Sequence, residues 1–315
     1  MPVATVLLAD PVFREHRTGN GHPERPERFD AALDAVAGLD LQPVPARAAD
    51  TDELLLCHTA AYVTTVERES AALAGTDDIR ELTTGDVAMS AASLDVALHA
   101  VGGVLNAVDA IFANGARQAL CLVRPPGHHA TANRGMGFCV FNNIAIAARY
   151  AQRRHGVERV LIADWDVHHG NGTQDIFYND RSVFFFSSHQ APWYPGTGAP
   201  AEIGEGDGAG TTMNCPLPAG TTGEDVLDAF RHRLLPAARA FRPDLVLLSA
   251  GFDSRAGDPL GRFTLSDADF AELTVLMREI ASLSAAGRLV SLLEGGYDLA
   301  GLSASVRAHA SALIR

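Results

Sequence analysis

Residues 160–172 read Val-Leu-Ile-Ala-Asp-Trp-Asp-Val-His-His-Gly-Asn-Gly, an aliphatic run that ends in two carboxylates, two imidazoles and a pair of glycines. A short apolar run bounded by turn-forming residues reads as a strand covered on both faces, because such a strand has no solvent side to carry alternating polar positions. A doubly covered strand belongs to a parallel sheet. Asp164, Asp166 and His168 then leave its carboxyl end, where open α/β folds place their ligands.

Similar runs at 3–9, 119–123, 183–187, 244–249 and 288–293 predict further strands. Between them, apolar residues at helical spacing predict helices. One starts near Pro26 with Phe29, Leu33 and Val36 inward, and another pattern covers 60–73. A long run over 89–113 carries Leu94, Leu98, Val101, Leu105, Val108 and Phe112 as its stripe. Helices are also expected at 143–155, 173–178, 224–241, 267–285 and 299–313, with Gly- and Pro-rich loops at 19–28 and 189–222 and a polar, turn-prone stretch at 75–85. Strand alternating with helix predicts an α/β fold with a mostly parallel central sheet and helices on both faces. No repeat, low-complexity tract or linker divides the chain, so residues 1–315 are expected to form a single domain.

Composition narrows the function classes. The chain has 38 acidic residues against 25 basic ones, all of the latter Arg, for a net charge of −13. That balance disfavours nucleic-acid partners. Cys57, Cys121, Cys139 and Cys215 show no C-x-x-C spacing, which predicts free thiols rather than a disulfide or cysteine–metal framework. The first residues carry no basic region and no apolar run approaches membrane-spanning length, so the expectation is a cytoplasmic protein with no membrane partner.

From residue 119 onward every expected strand ends in polar groups: Arg124-Pro-Pro-Gly-His128-His129, Asp164-Trp-Asp166-Val-His168, Ser187-Ser188-His189, Ser249-Ala-Gly-Phe-Asp253, and Glu294-Gly-Gly-Tyr297. At the carboxyl edge of one sheet these groups should converge. Asp166 and His168, two residues apart, point the same way, and Asp253 arrives from a later strand. Three mixed N/O ligands with an open position describe a catalytic metal site. His128 and His129 follow a rigid Pro-Pro-Gly turn and could divide general-base and electrostatic work. Asp164 and Asn171 are available to orient them. Tyr297, after two glycines, could donate to a developing oxyanion. Phe138 and the Trp193–Tyr194 pair could flank an apolar slot.

R-P-P-G-H-H-A, G-F-C-x-F-N-N, D-W-D-V-H-H-G-N-G-T, S-A-G-F-D-x-x-x-G-D-P-L-G and E-G-G-Y, in that order, resemble the zinc-dependent histone deacetylase family from about His22 to Tyr297. The Asp-Trp-Asp wording and Asn171 look like the class II branch, and the lysine-free, Arg-, Ala- and Gly-rich composition suggests a bacterial histone deacetylase-like amidohydrolase. The resemblance implies an arginase-like α/β fold, zinc held by Asp166, His168 and Asp253, His129 as general base and acid, and His128 as electrostatic partner. It pairs Asp164 with His128 and Asn171 with His129, and it makes Tyr297 the oxyanion donor. Phe138 and Tyr194 match the acyl-lysine tunnel walls, with Trp193 as the alternative for the second. Gly137 matches the backbone position that receives the substrate amide, Asp86 the rim carboxylate that holds the substrate backbone, and Arg28 the acetate channel. Structural potassium would be held by oxygens of Asp164, Asp166, His168, Ser187 and Ser188, with a second ion near Phe177 and Val183.

The resemblance implies deacetylation of acetyl-lysine in proteins or peptides, or alternatively of a small acetylated amine. Polyamine-specific members carry a long insertion, and 189–223 is too short for one. A non-catalytic acyl-lysine binder would not need Tyr297 and the full ligand set. A binuclear manganese hydrolase would need further carboxylates where Trp165 and Val167 stand. Oligomeric state is not legible.

Overall fold

In the computed structural model, which describes residues 4–113 and 115–315, the chain winds around one eight-stranded sheet. The strands are β1 (Thr5–Leu8), β2 (Gln42–Val44), β3 (Arg80–Glu81), β4 (Ala88–Met89), β5 (Gln118–Cys121), β6 (Val160–Asp164), β7 (Val183–Gln190), β8 (Thr212–Leu217), β9 (Leu245–Ala250) and β10 (Leu289–Leu293). The sheet order is β2-β1-β5-β10-β9-β6-β7-β8 and every pairing is parallel, while β3 and β4 form a separate antiparallel pair. Every residue of β5, β6, β9 and β10 is buried, as central parallel strands require. Asp164 pairs across with Ser187 and Ser249, so the polar strand ends sit level.

Helix boundaries follow local chemistry. Asn142 caps Asn143–His155, which stops at Gly156 in the left-handed conformation. Reciprocal capping boxes start Gly223–Ala229 (Thr222 with Asp225) and Asp267–Ser284 (Ser266 with Asp269), and Asp298 caps Leu299–Leu313.

Several expectations need correction. Val3, the expected first residue of the first strand, lies outside the described residues. The loop expected at 189–222 contains β8, and β2 is a strand the sequence pattern does not predict. Both are edge strands carrying a proline, Pro216 and Pro43, which a sheet tolerates only there. β7 runs three residues past its expected end, so Ser188 and His189 lie within the strand. The long helix starts at Ser93, because Ala88–Met89 pairs with Arg80–Glu81 instead. Half of the expected stripe is fully buried, Val101, Leu105 and Val108, while Leu94, Leu98 and Phe112 are only partly covered; the burial extends instead to Val96, Ala97, Ala100, Val104 and Ile111, at 0–1% exposure. The 224–241 helix holds a π turn at Phe230–Leu234. The helix Ser93–Ala113 is long and apolar enough to cross a membrane, contrary to the sequence reading, but 67% of its apolar window is buried inside the protein. All four cysteines are free thiols, as expected.

Candidate active site

Because β6 lies beside β9 and β10 lies beside β5, four chain-distant loops meet at the carboxyl edge. Asp166 and His168 follow β6 and Asp253 follows β9. One ligand atom from each lies within 4.8 Å of the others, and all three residues are buried. His168 Nδ1 stands 3.0 Å from Asp166 Oδ1 and 3.1 Å from Asp253 Oδ2. Backbone amides aim the carboxylates: Val167 donates to Asp253 Oδ1 at 2.9 Å and Gly295 to Asp166 Oδ2 at 2.9 Å. Glycine is required at 295, since a Cβ there would collide with both carboxylates.

Burial, reinforced by the charge of Asp166, pushes the Asp253 carboxyl up to about 7. Burial works against a charged His168, yet the two carboxylates hold its imidazolium up to about 10. Two crowded carboxylates and an imidazole, dry and convergent, are a donor set that a divalent cation satisfies far better than protons do.

The histidine pair sits beside this cluster. His128 Nδ1 lies 2.9 Å from Asp164 Oδ2, and His129 Nδ1 lies 2.7 Å from Asn171 Oδ1. Burial lowers both rings, but the carboxylates of Asp164 and Asp166 outweigh it at His128 and hold that ring well above its ordinary value. Among the described residues no carboxylate pairs with His129 Nδ1. Burial, then the neighbouring His128 and His168, keep it well below its ordinary value. The turn carrying the pair is fixed by Glu294, whose Oε2 accepts from the backbone of Gly127 (2.7 Å) and His128 (3.2 Å).

Tyr297 leaves β10 with its backbone amide on Asp258 Oδ2 at 2.6 Å. Its buried phenol is pushed well above its ordinary value, so it remains a hydrogen-bond donor at neutral pH. His129, His168 and Tyr297 form the floor of a cavity of about 240 Å³. Phe138, Trp193, Tyr194 and Leu260 line its sides, with exposed Asp86 at the rim and buried Gly137 against the His129 ring. Trp193 and Tyr194 both line it, but differently. The Tyr194 ring meets His129 edge-on at 5.2 Å, while the Trp193 indole donates to Leu260 O at 2.8 Å. Another cavity, of about 310 Å³, opens between Arg117, Gln118 and Arg278 at the other end of the sheet and holds none of these groups.

Arg28 lies behind Tyr297 rather than in the cavity. It is fully buried, donating to Gly296 O (2.6 Å), Glu294 O (2.5 Å) and Glu24 (2.9 Å). Ser187 and Ser188 are buried beside Asp164. Ser187 Oγ bonds to His189 at 3.0 Å, and Ser188 Oγ has no partner among the described residues. Sequence reasoning gave no role to Glu294, Asp258 or Leu260. All three stand inside the motifs E-G-G-Y and G-D-P-L-G and were legible as motif members without a partner to name.

Residues 22–313 match the Histone deacetylase domain family. The chain is similar to Histone deacetylase 10, chloroplastic, of Oryza sativa subsp. japonica, 41% identical over 90% of this chain and 68% of that one. It is 42% identical to Polyamine deacetylase HDAC10 of Homo sapiens, over 90% of this chain and 43% of that longer protein. The crystal structure of the HDA15 HD domain superposes with a TM-score of 0.92 at 37% identity, covering 99% of this chain and 90% of that one. With this match over most of its length, the chain belongs to the histone deacetylase family and is a deacetylase hydrolase.

Proposed function

We propose that the chain is a zinc-dependent deacetylase that removes acetyl groups from the ε-amine of acetyl-lysine in peptides or proteins, releasing acetate. One observation carries the division of labour: adjacent histidines have partners of different charge, a carboxylate at His128 and a neutral amide at His129. Asp166, His168 and Asp253 would hold the zinc, which when bound supplies a Lewis acid for the acetamide carbonyl and acidifies water.

The remaining chemistry belongs to the chain. His129, oriented by Asn171, takes a proton from the attacking water and returns it to the leaving amine. Tyr297 donates to the developing oxyanion, and cationic His128 stabilises the same negative charge. The butyl chain of the lysine fits between Phe138 and Tyr194, the backbone of Gly137 receives the substrate amide, and Asp86 at the rim meets the substrate backbone. Arg28 would border the route by which acetate leaves. A potassium ion held by oxygens of Asp164, Asp166, His168, Ser187 and Ser188 is supported by the buried, unpartnered hydroxyl of Ser188. A second ion near Phe177 and Val183 belongs to the same proposal.

A second reading, deacetylation of a small acetylated amine, is favoured by the likeness to the human polyamine deacetylase. Four apolar or aromatic side chains surround the cavity against one rim carboxylate, which suits an aliphatic lysine stem better than a second cation. A chelator-controlled panel of acetyl-lysine peptides, acetylpolyamines and longer acyl-lysines, ranked by kcat/KM, tests this. Highest efficiency on the peptides supports the first reading, and highest efficiency on the acetylpolyamines replaces it with the second.

A further inference from the structure

Phe138, one side of the cavity, has φ +68°, a left-handed conformation that a bulky residue keeps only when its surroundings impose it. Those surroundings are the turn between β3 and β4. Asp86 Oδ1 accepts from the amide of Gly137 at 2.8 Å, and the Asp86 carbonyl accepts from the amide of Phe138 at 3.2 Å. Thr84 ties down the same segment, its Oγ1 accepting from Gly135 at 3.3 Å and its carbonyl from Arg134 Nε at 2.6 Å. A third bond from Asp86 reaches the opposite side of the cavity, where Oδ1 accepts from the Tyr194 hydroxyl at 3.2 Å. One exposed side chain therefore links two cavity sides that come from loops more than fifty residues apart.

We propose that Asp86 is a positioning residue for the tunnel, holding Phe138 in its left-handed conformation and Tyr194 opposite it, independently of any grip on the substrate backbone. The proposal rests on reading the cavity as an acyl-lysine tunnel. Oδ2 of Asp86 takes no part in these bonds, so the carboxylate can set the walls and still accept from a bound peptide. A substrate grip and a wall brace make different demands on the side chain. The brace needs one acceptor oxygen, which an amide keeps, and it serves every substrate that enters the tunnel.

Hydrogen–deuterium exchange of residues 134–139 provides a readout independent of turnover and of metal. Removing the side-chain acceptor in Asp86→Ala should speed exchange of this segment by about tenfold, the scale of one lost hydrogen bond, with Asp86→Asn close to the parent. Unchanged exchange in Asp86→Ala overturns the proposal. Turnover gives a second reading. On a peptide and on N-butylacetamide, which has the acyl-amine stem but no peptide backbone, Asp86→Ala should lose kcat/KM on both, with Asp86→Asn recovering the stem substrate. Loss confined to the peptide overturns the brace and leaves only a backbone grip. Failure of the parent protein to turn over any acetamide sinks the tunnel reading instead, while the exchange result still decides whether Asp86 holds the Gly137–Phe138 segment.

Discussion

The guanidinium carbon of Arg28 lies 4.9 Å from the centre of the Tyr297 ring. The same guanidinium donates to the carbonyls of Glu294 and Gly296, the residues that lead into Tyr297, and to the buried carboxylate of Glu24. Glu24 in turn is shared with Arg124 at 2.5 Å, so one acid joins the helix Glu27–Ala35 to the turn that carries the histidine pair.

Arg28→Leu leaves two buried carbonyls unpaired and Glu24 with a single arginine. Breaking a buried pair of this kind costs roughly 3 kcal/mol or more. A lower urea midpoint with unchanged m value is expected. A loss under about 1 kcal/mol would show that water or Arg124 replaces the contact.

Tyr297→Phe keeps the ring that Arg28 covers and removes only the donor. Turnover should fall by about 10²–10³-fold with little change in KM, as for loss of one oxyanion donor. A loss of threefold or less would remove Tyr297 from the mechanism.

Asp253→Ala should abolish metal loading, and so should Gly295→Ala, whose new Cβ would enter the space between the two carboxylates. Elemental analysis of the purified variants decides this. A full zinc complement in either one contradicts the assignment of the site.

His58 should make the protein acid-sensitive. Its Nε2 accepts from the amide of Asn142 at 2.9 Å while Nδ1 faces Thr131 O at 3.0 Å, so the ring must stay neutral. Burial lowers it from its ordinary 6.5 to about 4. A depressed imidazole contributes stability that is complete above 6.5 and is lost as pH falls toward 4. Between pH 7 and pH 5 the stability advantage over His58→Asn should shrink by about 2 kcal/mol, measured by urea denaturation at each pH. An advantage that stays constant would mean that the ring titrates normally.

Much of this was legible in the linear chain. Buried parallel strands announce themselves as unbroken aliphatic runs, and the residues that end them are the residues of the site: Asp164, Asp166 and His168 after one strand, Asp253 and Tyr297 after two others. The edge strands β2 and β8 were illegible because proline and polar residues mask them, and only pairing with a neighbour makes them strands. Only Val101, Leu105 and Val108 of the stripe expected on Ser93–Ala113 are fully buried, because an apolar helix packed on several sides has no single stripe to read.

Sequence alone determined which groups leave the carboxyl edge, since a strand's end and its polar residues are local facts. Which of them meet was decided by strand order, which puts β9 beside β6 and β10 beside β5 and so brings Asp253 to Asp166 and Glu294 to His128. The electrostatics were decided there too: His128 and His129 are neighbours of one residue type, and their opposite shifts come from the carboxylates of Asp164 and Asp166 beside one ring and from burial, His128 and His168 around the other, surroundings that only folding delivers. Contacts between distant segments carry no local signature, so the brace of Asp86 on Gly137, Phe138 and Tyr194 exists only in three dimensions.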